Sequence, residues 1–238
     1  MKIALIGYGK MGKAIEEIAL AKGYMIVLKI SSKNVDEFTK ENIAKADVAI
    51  EFTNPQNAPD NICKCIEAGV PVVSGSTGWL KDWDNVAAYI ESKNGSFLYG
   101  SNFSIGVNLF FELNKFLARL MSPYSDYNVS LEEIHHTQKK DSPSGTAITL
   151  AEQILHELKT KKTWVNQPSD NKEDMVIISK REDPAPGTHT VKYTSDIDDI
   201  EITHTAHNRK GFASGVVLAA EFLLGKKGIY TMKDVLVS

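Results

Sequence analysis

Cysteine is scarce, long apolar runs are absent and neither sign of charge dominates; each shortage narrows the field. The two cysteines, Cys63 and Cys65, are spaced C-x-C, which is neither zinc-knuckle nor redox C-x-x-C spacing. On a helix they would point to different faces, and two small thiols suit a reducing compartment better than a disulfide framework. No apolar stretch is long enough to span a bilayer, and a strand pattern begins at Lys2 with no charged leader or cleavage site, so a cytoplasmic location without a membrane partner is expected. The formal net charge is only −3, from 27 Lys+Arg and 30 Asp+Glu, so no whole-molecule field draws nucleic acid. Affinity for an anion must come from a local group of cations. What remains is ordinary globular material: 238 residues, 42% hydrophobic and 24% charged, enough for one large domain or two modest ones.

The most informative local pattern comes first. Lys2 to Ile6 is a short apolar run of strand type, followed by Gly7-Tyr8-Gly9-Lys10-Met11-Gly12 and a helical pattern with Met11, Ala14, Ile15, Ile18 and Ala19 on one face. Strand, G-x-G-x-x-G turn and helix together suggest a dinucleotide site. Gly7 permits the tight turn, Gly9 lets the backbone approach a pyrophosphate, and Gly12 lets helix and strand pack closely, while the helix start offers unpaired N–H groups to phosphate. The next strand, Met25 to Ile30, leads into Ser31-Ser32-Lys33-Asn34, with no acid until Asp36. A carboxylate there would hold a ribose 2′-hydroxyl. Hydroxyls and Lys33 tolerate or attract a 2′-phosphate, which favours NADPH or use of both cofactors.

The βα alternation continues. A strand at Asp47 to Phe52 ends in Thr53-Asn54-Pro55; a helix is expected from Pro55 to Ala68, with Pro55 near its first turn and Gly69 as its stop. Pro71 to Ser74 ends in Gly75-Ser76-Thr77-Gly78, and Ser96 to Tyr99 ends in Gly100-Ser101-Asn102-Phe103-Ser104. Small and hydroxyl residues thus recur where strands end, the ligand side of a doubly wound sheet.

After Ser104 the pattern changes. Ile105 to Leu120 reads as a long helix with Leu109, Leu113, Phe116, Leu117 and Leu120 as a buried stripe, and Tyr127 to Ile134 as a strand. That strand runs into Glu133-Ile134-His135-His136-Thr137-Gln138-Lys139-Lys140-Asp141-Ser142-Pro143-Ser144-Gly145-Thr146, and a helix follows. Pro143, Ser144 and Thr146 are first-turn or capping residues. Imidazoles and ammonium groups just upstream of a helix N-terminus make a cationic spot suited to a carboxylate, and histidine moves protons near neutral pH. Zinc is not expected at the His-His pair, because no third ligand stands at typical spacing. Neither Gly-Ser-Thr-Gly nor Pro-Ser-Gly-Thr is the G-x-S-x-G of a serine nucleophile. Strands are expected at Met175 to Arg181, Thr188 to Thr194 and Ile200 to His207, and an apolar helix at Gly211 to Leu223.

Glu133, His135, His136, Lys139, Asp141, Pro143, Ser144, Gly145, Thr146 and Ala147 fit E-x-H-H, a lysine, an aspartate and P-S-G-T-A in order. In this stretch the chain resembles the dihydrodipicolinate reductase family. Phe52-Thr53 with Pro55, residues 75–78, Asn102-Phe103-Ser104 with Gly106-Val107-Asn108, Gly187-Thr188-His189, Glu201-Ile202-Thr203-His204, and Arg209, Phe212, Ala213 and Gly215 extend the likeness over nearly the whole chain. Departures are small: Ser76 replaces a usual threonine, the region between the second and third strands is short, and the acid that marks NAD use is missing.

The resemblance implies an α/β protein. A Rossmann-type dinucleotide-binding domain at 1–104 and 209–238 would flank an α+β substrate and oligomerisation domain with a mixed sheet at 105–208. It implies NAD(P)H-dependent reduction of the dehydrated form of 4-hydroxy-tetrahydrodipicolinate, hinges near Ser104 and Arg209 that close cofactor over substrate, and a homotetramer. By position, His135 resembles the general acid/base and Lys139 the proton donor. His136, Ser144, Gly145 and Thr146 resemble the contacts to a small dicarboxylate substrate. Gly7, Tyr8, Gly9, Lys10, Met11, Gly12, Lys33, Phe52, Thr53, Gly75, Ser76, Thr77, Tyr99, Gly100, Ser101 and Asn102 are the expected NADPH or NADH contacts, and no metal is expected. The alternatives are another Rossmann-type dehydrogenase of a small carboxylated metabolite, which has no need of His-His-x-x-Lys with Pro-Ser-Gly-Thr, and a non-catalytic dinucleotide sensor, which has no need of His135 and Lys139.

Overall fold

A computed structural model describes residues 1–208 and 210–237; Arg209, part of the resemblance above, lies outside the described residues. The chain divides into two compact units, Met1–Ile105 with Lys210–Ser238, and Gly106–Arg209.

The first unit opens with β1 (Lys2–Ile6), α1 (Lys10–Ala21), β2 (Met25–Ile30), the single-turn α2 (Lys40–Ile43), β3 (Val48–Glu51), α3 (Ala58–Glu67), β4 (Val72–Ser74), α4 (Trp83–Ser92) and β5 (Ser96–Tyr99). Its strands are apolar on both sides because helices cover both faces, as in a parallel sheet. Ala4 and Ile6 of β1 face a core with Ile62, Cys65 and Ile90, whereas Ile3 and Leu5 face a second core with Ile15 and Ala19. The expected helix at Pro55 begins later, at Ala58, with Pro59 in its first turn. Asn54 forms a turn of its own, its side-chain oxygen accepting from the amides of Gln56 (3.1 Å) and Asn57 (3.0 Å), and this uses up residues 54–57 before the helix starts.

The second unit takes α5 (Ile105–Met121) beyond its first residue, then β6 (Asn128–His135), α6 (Gly145–Glu157), β7 (Thr163–Val165), β8 (Asp174–Arg181), β9 (Gly187–Thr194) and β10 (Asp199–Ala206). These strands form one mixed sheet in the order β10-β9-β6-β8-β7. Beyond it, α7 (Lys210–Leu223), β11 (Gly228–Thr231) and α8 (Met232–Val237) belong to the first unit and complete its all-parallel sheet, β11-β5-β4-β3-β1-β2.

The expected buried stripe on α5 is overturned at four of its five positions, Leu117 alone packing partly buried against the core of this unit. Leu109, Leu113, Phe116 and Leu120 are each about half exposed; the buried face carries Val107, Phe110, Asn114, Ala118 and Met121. That face is chosen by fit. Ala118 is small enough for close approach, and the Asn114 amide donates to the Leu150 carbonyl (3.1 Å) and the Gln153 side chain (3.0 Å), which no leucine can do.

Candidate active site

In the first unit the chain order reverses at β1, whose neighbours are β2 on one side and β3 on the other. Ligands of open parallel sheets bind at such a switch point, outside the strands' carboxyl ends. A groove of about 320 Å³ lies there, lined by Gly7, Tyr8 and Gly9 after β1, Ser31 and Ser32 after β2, and Thr53 and Asn54 after β3, with Asn57 and Asn61 beside them. Gly7 holds φ +101° and a Cβ on it would lie 2.0 Å from the Phe52 carbonyl, so only glycine makes this turn. A Cβ placed on Gly9 would meet nothing within 4 Å among the described residues, which leaves that side of its backbone open to a phosphate, while Gly12 packs close under the turn. The α1 amides at Lys10 and Met11 begin just beyond. Turn, helix start and groove together fit a dinucleotide.

A buried carboxylate sets the rim of this groove. Glu51, the last residue of β3, has no exposed surface. It accepts hydrogen bonds from the Thr53 amide (3.0 Å) and hydroxyl (2.5 Å), and from the hydroxyls of Ser74 (2.7 Å) and Ser76 (2.8 Å). The loops after β3 and β4 are thereby tied together. The other expected cofactor residues do not line this groove. Phe52 packs on Gly75, Thr77 is exposed, and Lys33 is exposed with its amide donating to the Ser31 hydroxyl. Tyr99 stands against Trp79 and Trp83 (centroids 5.6 and 5.9 Å), and burial raises its phenol. Gly100, Ser101 and Asn102 follow β5, where the Asn102 side chain accepts from the Ser104 amide.

In the second unit the register of one sheet builds the other cluster. Side chains alternate along β6, so Val129, Leu131, Glu133 and His135 all face the covered side. Glu133 pairs across with Ser179 on β8 and His189 on β9. Its carboxylate, fully buried, accepts from the Ser144 amide (3.1 and 3.2 Å) and the Ser179 hydroxyl (2.7 Å), and it lies 3.4 Å from Arg181. Burial alone would raise the Glu133 carboxyl; hydrogen bonds from His189, Ser144 and Ser179 overcome it and hold the carboxyl well below the usual carboxylate range.

His135 is buried with Nδ1 3.4 Å from Glu133. Burial, and then the nearby His189, push its imidazole down to about 4 against the pull of Glu133, with Lys139 and Arg181 acting in the same direction as His189. His135 is therefore uncharged at neutral pH. Lys139 donates to both oxygens of Asp141 (2.8 and 2.7 Å). His136 borders a shallow pocket with Gln138, Asp183 and Pro184. Ser144 caps α6, its hydroxyl accepting from the Ala147 amide (3.2 Å), so Gly145 and Thr146 are the first helical residues and present amides that have no partner within the helix.

One of these features escapes a linear reading. His189, 54 residues beyond His135, joins Glu133 and His135, not His136, in a group that brings one donor atom each to within 4.8 Å of one another. The carboxylate is already matched by Arg181, Ser144 and Ser179, so we read the group as a hydrogen-bonded cluster. Gly187-Thr188-His189 is legible as a motif, but its place beside Glu133 depends on strand register.

A parallel sheet with a glycine turn at its switch point, followed by a unit that gathers a buried histidine, a lysine and a capped helix start, defines a two-unit oxidoreductase of the dinucleotide-binding class. Family models for the N-terminus and the C-terminus of dihydrodipicolinate reductase match residues 1–103 and 106–236. The chain belongs to the dihydrodipicolinate reductase family. It is 51% identical over 240 residues to a 4-hydroxy-tetrahydrodipicolinate reductase of Christiangramia forsetii, covering 99% of this chain and 98% of that one. It is 33% identical over 228 residues to the enzyme of the same name from Neisseria meningitidis serogroup B, covering 93% and 83%. Among solved structures, a dipicolinate-bound dihydrodipicolinate reductase from Paenisporosarcina sp. TG-14 shares the fold, with a TM-score of 0.80 over 99% of both chains at 22% identity.

Proposed function

We propose that this chain is an NAD(P)H-dependent 4-hydroxy-tetrahydrodipicolinate reductase of lysine and diaminopimelate biosynthesis. It reduces the cyclic, doubly carboxylated imine formed from that compound by loss of water to tetrahydrodipicolinate. The observation that carries the assignment to particular residues is the capped start of α6 next to His135 and Lys139. In this reading Met1–Ile105 with the C-terminal segment binds the dinucleotide, and Gly106–Arg209 binds substrate.

Bound NAD(P)H supplies the hydride, to one ring carbon. Gly7 to Gly12 and the α1 start hold the pyrophosphate; Ser31, Ser32 and Lys33 meet the adenosine ribose, and with no acid among them a 2′-phosphate is tolerated. Phe52, Thr53, Gly75 to Thr77 and Tyr99 to Asn102 form the remaining cofactor contacts. The Gly145 and Thr146 amides, the Ser144 cap and His136 take the substrate carboxylates, where aligned N–H groups and local positive charge favour an anion. Lys139, held in place by Asp141, gives up the proton that the neighbouring ring carbon gains. Uncharged His135 steers that proton between the ammonium and the ring.

Two further readings accompany this one. A homotetramer is supported by the half-exposed row of Leu109, Leu113, Phe116 and Leu120 on α5, an apolar strip of the kind that marks an interaction surface. A cytoplasmic setting is supported by the two free thiols, Cys63 and Cys65; no described helix is long and apolar enough to cross a membrane.

The test is oxidation of NADH and NADPH, followed separately at 340 nm, with substrate generated enzymatically in place. Substrate-dependent oxidation is expected with at least one cofactor. No oxidation with either would contradict the assignment.

A further inference from the structure

Beyond the groups that touch substrate, the second unit holds a buried imidazole to which the reaction gives no direct task. His189 is almost fully buried. Its Nε2 stands 3.1 Å from the Ser144 hydroxyl and 3.6 Å from the Glu133 carboxylate, and its ring meets that of His135 edge to face, centroids 5.0 Å apart. Its Nδ1 has no hydrogen-bond partner among the described residues.

The tautomer follows from the neighbours. A carboxylate held ionised next to Nε2 calls for a proton there. Nε2–H is then donated to the Ser144 oxygen at 3.1 Å, with the Glu133 carboxylate 3.6 Å away as its electrostatic neighbour. The same hydroxyl oxygen caps α6 by accepting from Ala147. One imidazole therefore bears on two parts of the site: the cap that aims the Gly145 and Thr146 amides, and the ring of His135. On its far side His135 lies against Gly187, where a Cβ would come within 3.0 Å of Nε2 and where φ is +155°. His135 is thus walled by Glu133, His189 and a glycine that leaves its Nε2 unobstructed.

We infer that His189 is a positioning residue of this reductase, fixing through Ser144 the helix start that receives the substrate carboxylate and through ring contact the state of His135. It touches neither substrate nor cofactor in this account, and its role rests on the reductase reading above. The charged or titratable groups facing His135 are Glu133 on its own strand, Arg181 on β8, His189 on β9 and Lys139 in the following loop. Those around His189 are Glu133, His135 and His204, its cross-strand partner on β10.

The experiment compares full-length wild type, His189→Ala, His189→Gln and Ser144→Ala. Each is characterised by thermal unfolding, steady-state kinetics and NMR titration of the imidazoles. Glutamine can place an N–H near the position of Nε2. His189→Ala is expected to raise the substrate KM about tenfold and lower kcat about tenfold, with the NAD(P)H KM unchanged, on the scale of a lost hydrogen bond to a charged group. His189→Gln is expected to stay within about threefold of wild type on both. Ser144→Ala is expected to reproduce the rise in substrate KM. In both His189 variants the His135 midpoint is expected to move, because the ring that meets it edge to face has gone.

Any one of three results in folded protein would overturn the inference: substrate KM and kcat within about twofold of wild type in His189→Ala, equal losses in His189→Gln and His189→Ala, or an unmoved His135 midpoint. Should His189→Ala not fold, Ser144→Ala and His189→Gln decide the matter by the same readings. A wild-type chain without reductase activity would sink the functional reading instead, and the midpoint comparison would still judge the coupling of His189 to His135.

Discussion

Each unit carries, at or near the carboxyl end of a strand, the same device, a glutamate with no exposed surface that draws neighbouring segments together, yet the two are answered differently. Glu51 receives one backbone amide and three hydroxyls, all neutral. Glu133 receives an amide and hydroxyls too, but also faces Arg181, His135 and His189. A buried carboxylate among neutral donors ties two loops into a fixed rim. One among cations and imidazoles ties its loops into a site whose charge responds to protons. The first arrangement suits binding a cofactor, and the second suits proton transfer.

The sharpest way to break this contrast is to remove each carboxylate. Glu133→Ala leaves the part-buried Arg181 without its partner and should cost about 3–5 kcal/mol in denaturant unfolding. Glu51→Ala strands hydroxyls but no charge and should cost about 1–3 kcal/mol, with a higher KM for NAD(P)H and an unchanged substrate KM. Equal stability losses would mean that the charged partners of Glu133 contribute nothing.

A pH series sharpens it further. His135 is an imidazole depressed from its ordinary value near 6.5 to about 4 in the folded protein. The unfolded chain thus binds more protons between these values, and stability is full above about 6.5 and lost as pH falls. The loss from this group should be about 2 kcal/mol by pH 5. Glu133, held low, adds a further loss at still lower pH. His135→Asn should flatten the curve between pH 6.5 and 5; an unchanged slope would remove His135 as its source.

The smallest expected effect lies on the outer face of α5. Phe116→Glu should change monomer stability by less than about 0.5 kcal/mol while lowering the mass measured by light scattering, since a charge now sits on the proposed contact strip. A wild-type particle that is monomeric, or one unaltered by Phe116→Glu, would contradict the role given to this strip.

What the sequence disclosed and what it hid follow from range. β1, β2 and β5 match their expected bounds, because an apolar run closed by a turn is a local signal, and so is Ser144 before α6. The short elements α2, β7, β11 and α8 carry too few residues for periodicity to register. Helix α5 is apolar nearly all round, so period alone yields a stripe without saying which one; Asn114 at the centre of the true inner face makes that face look the less apolar of the two. The histidines and lysine of the second site were legible because they lie within five residues. Their completion by Ser179, Arg181 and His189 depends on pairing β6 with β8 and β9, which no local pattern encodes.

The central claim is that residues 135–146 carry the chemistry while the glycine turn and its groove carry the cofactor. Turnover and NADPH dissociation constant, measured side by side for wild type, His135→Ala and Lys139→Ala, test it most directly. The account predicts a fall in kcat of about a hundredfold or more in both variants, with the NADPH constant unchanged. Near-normal turnover in both, or a loss that follows weakened NADPH binding, would contradict it.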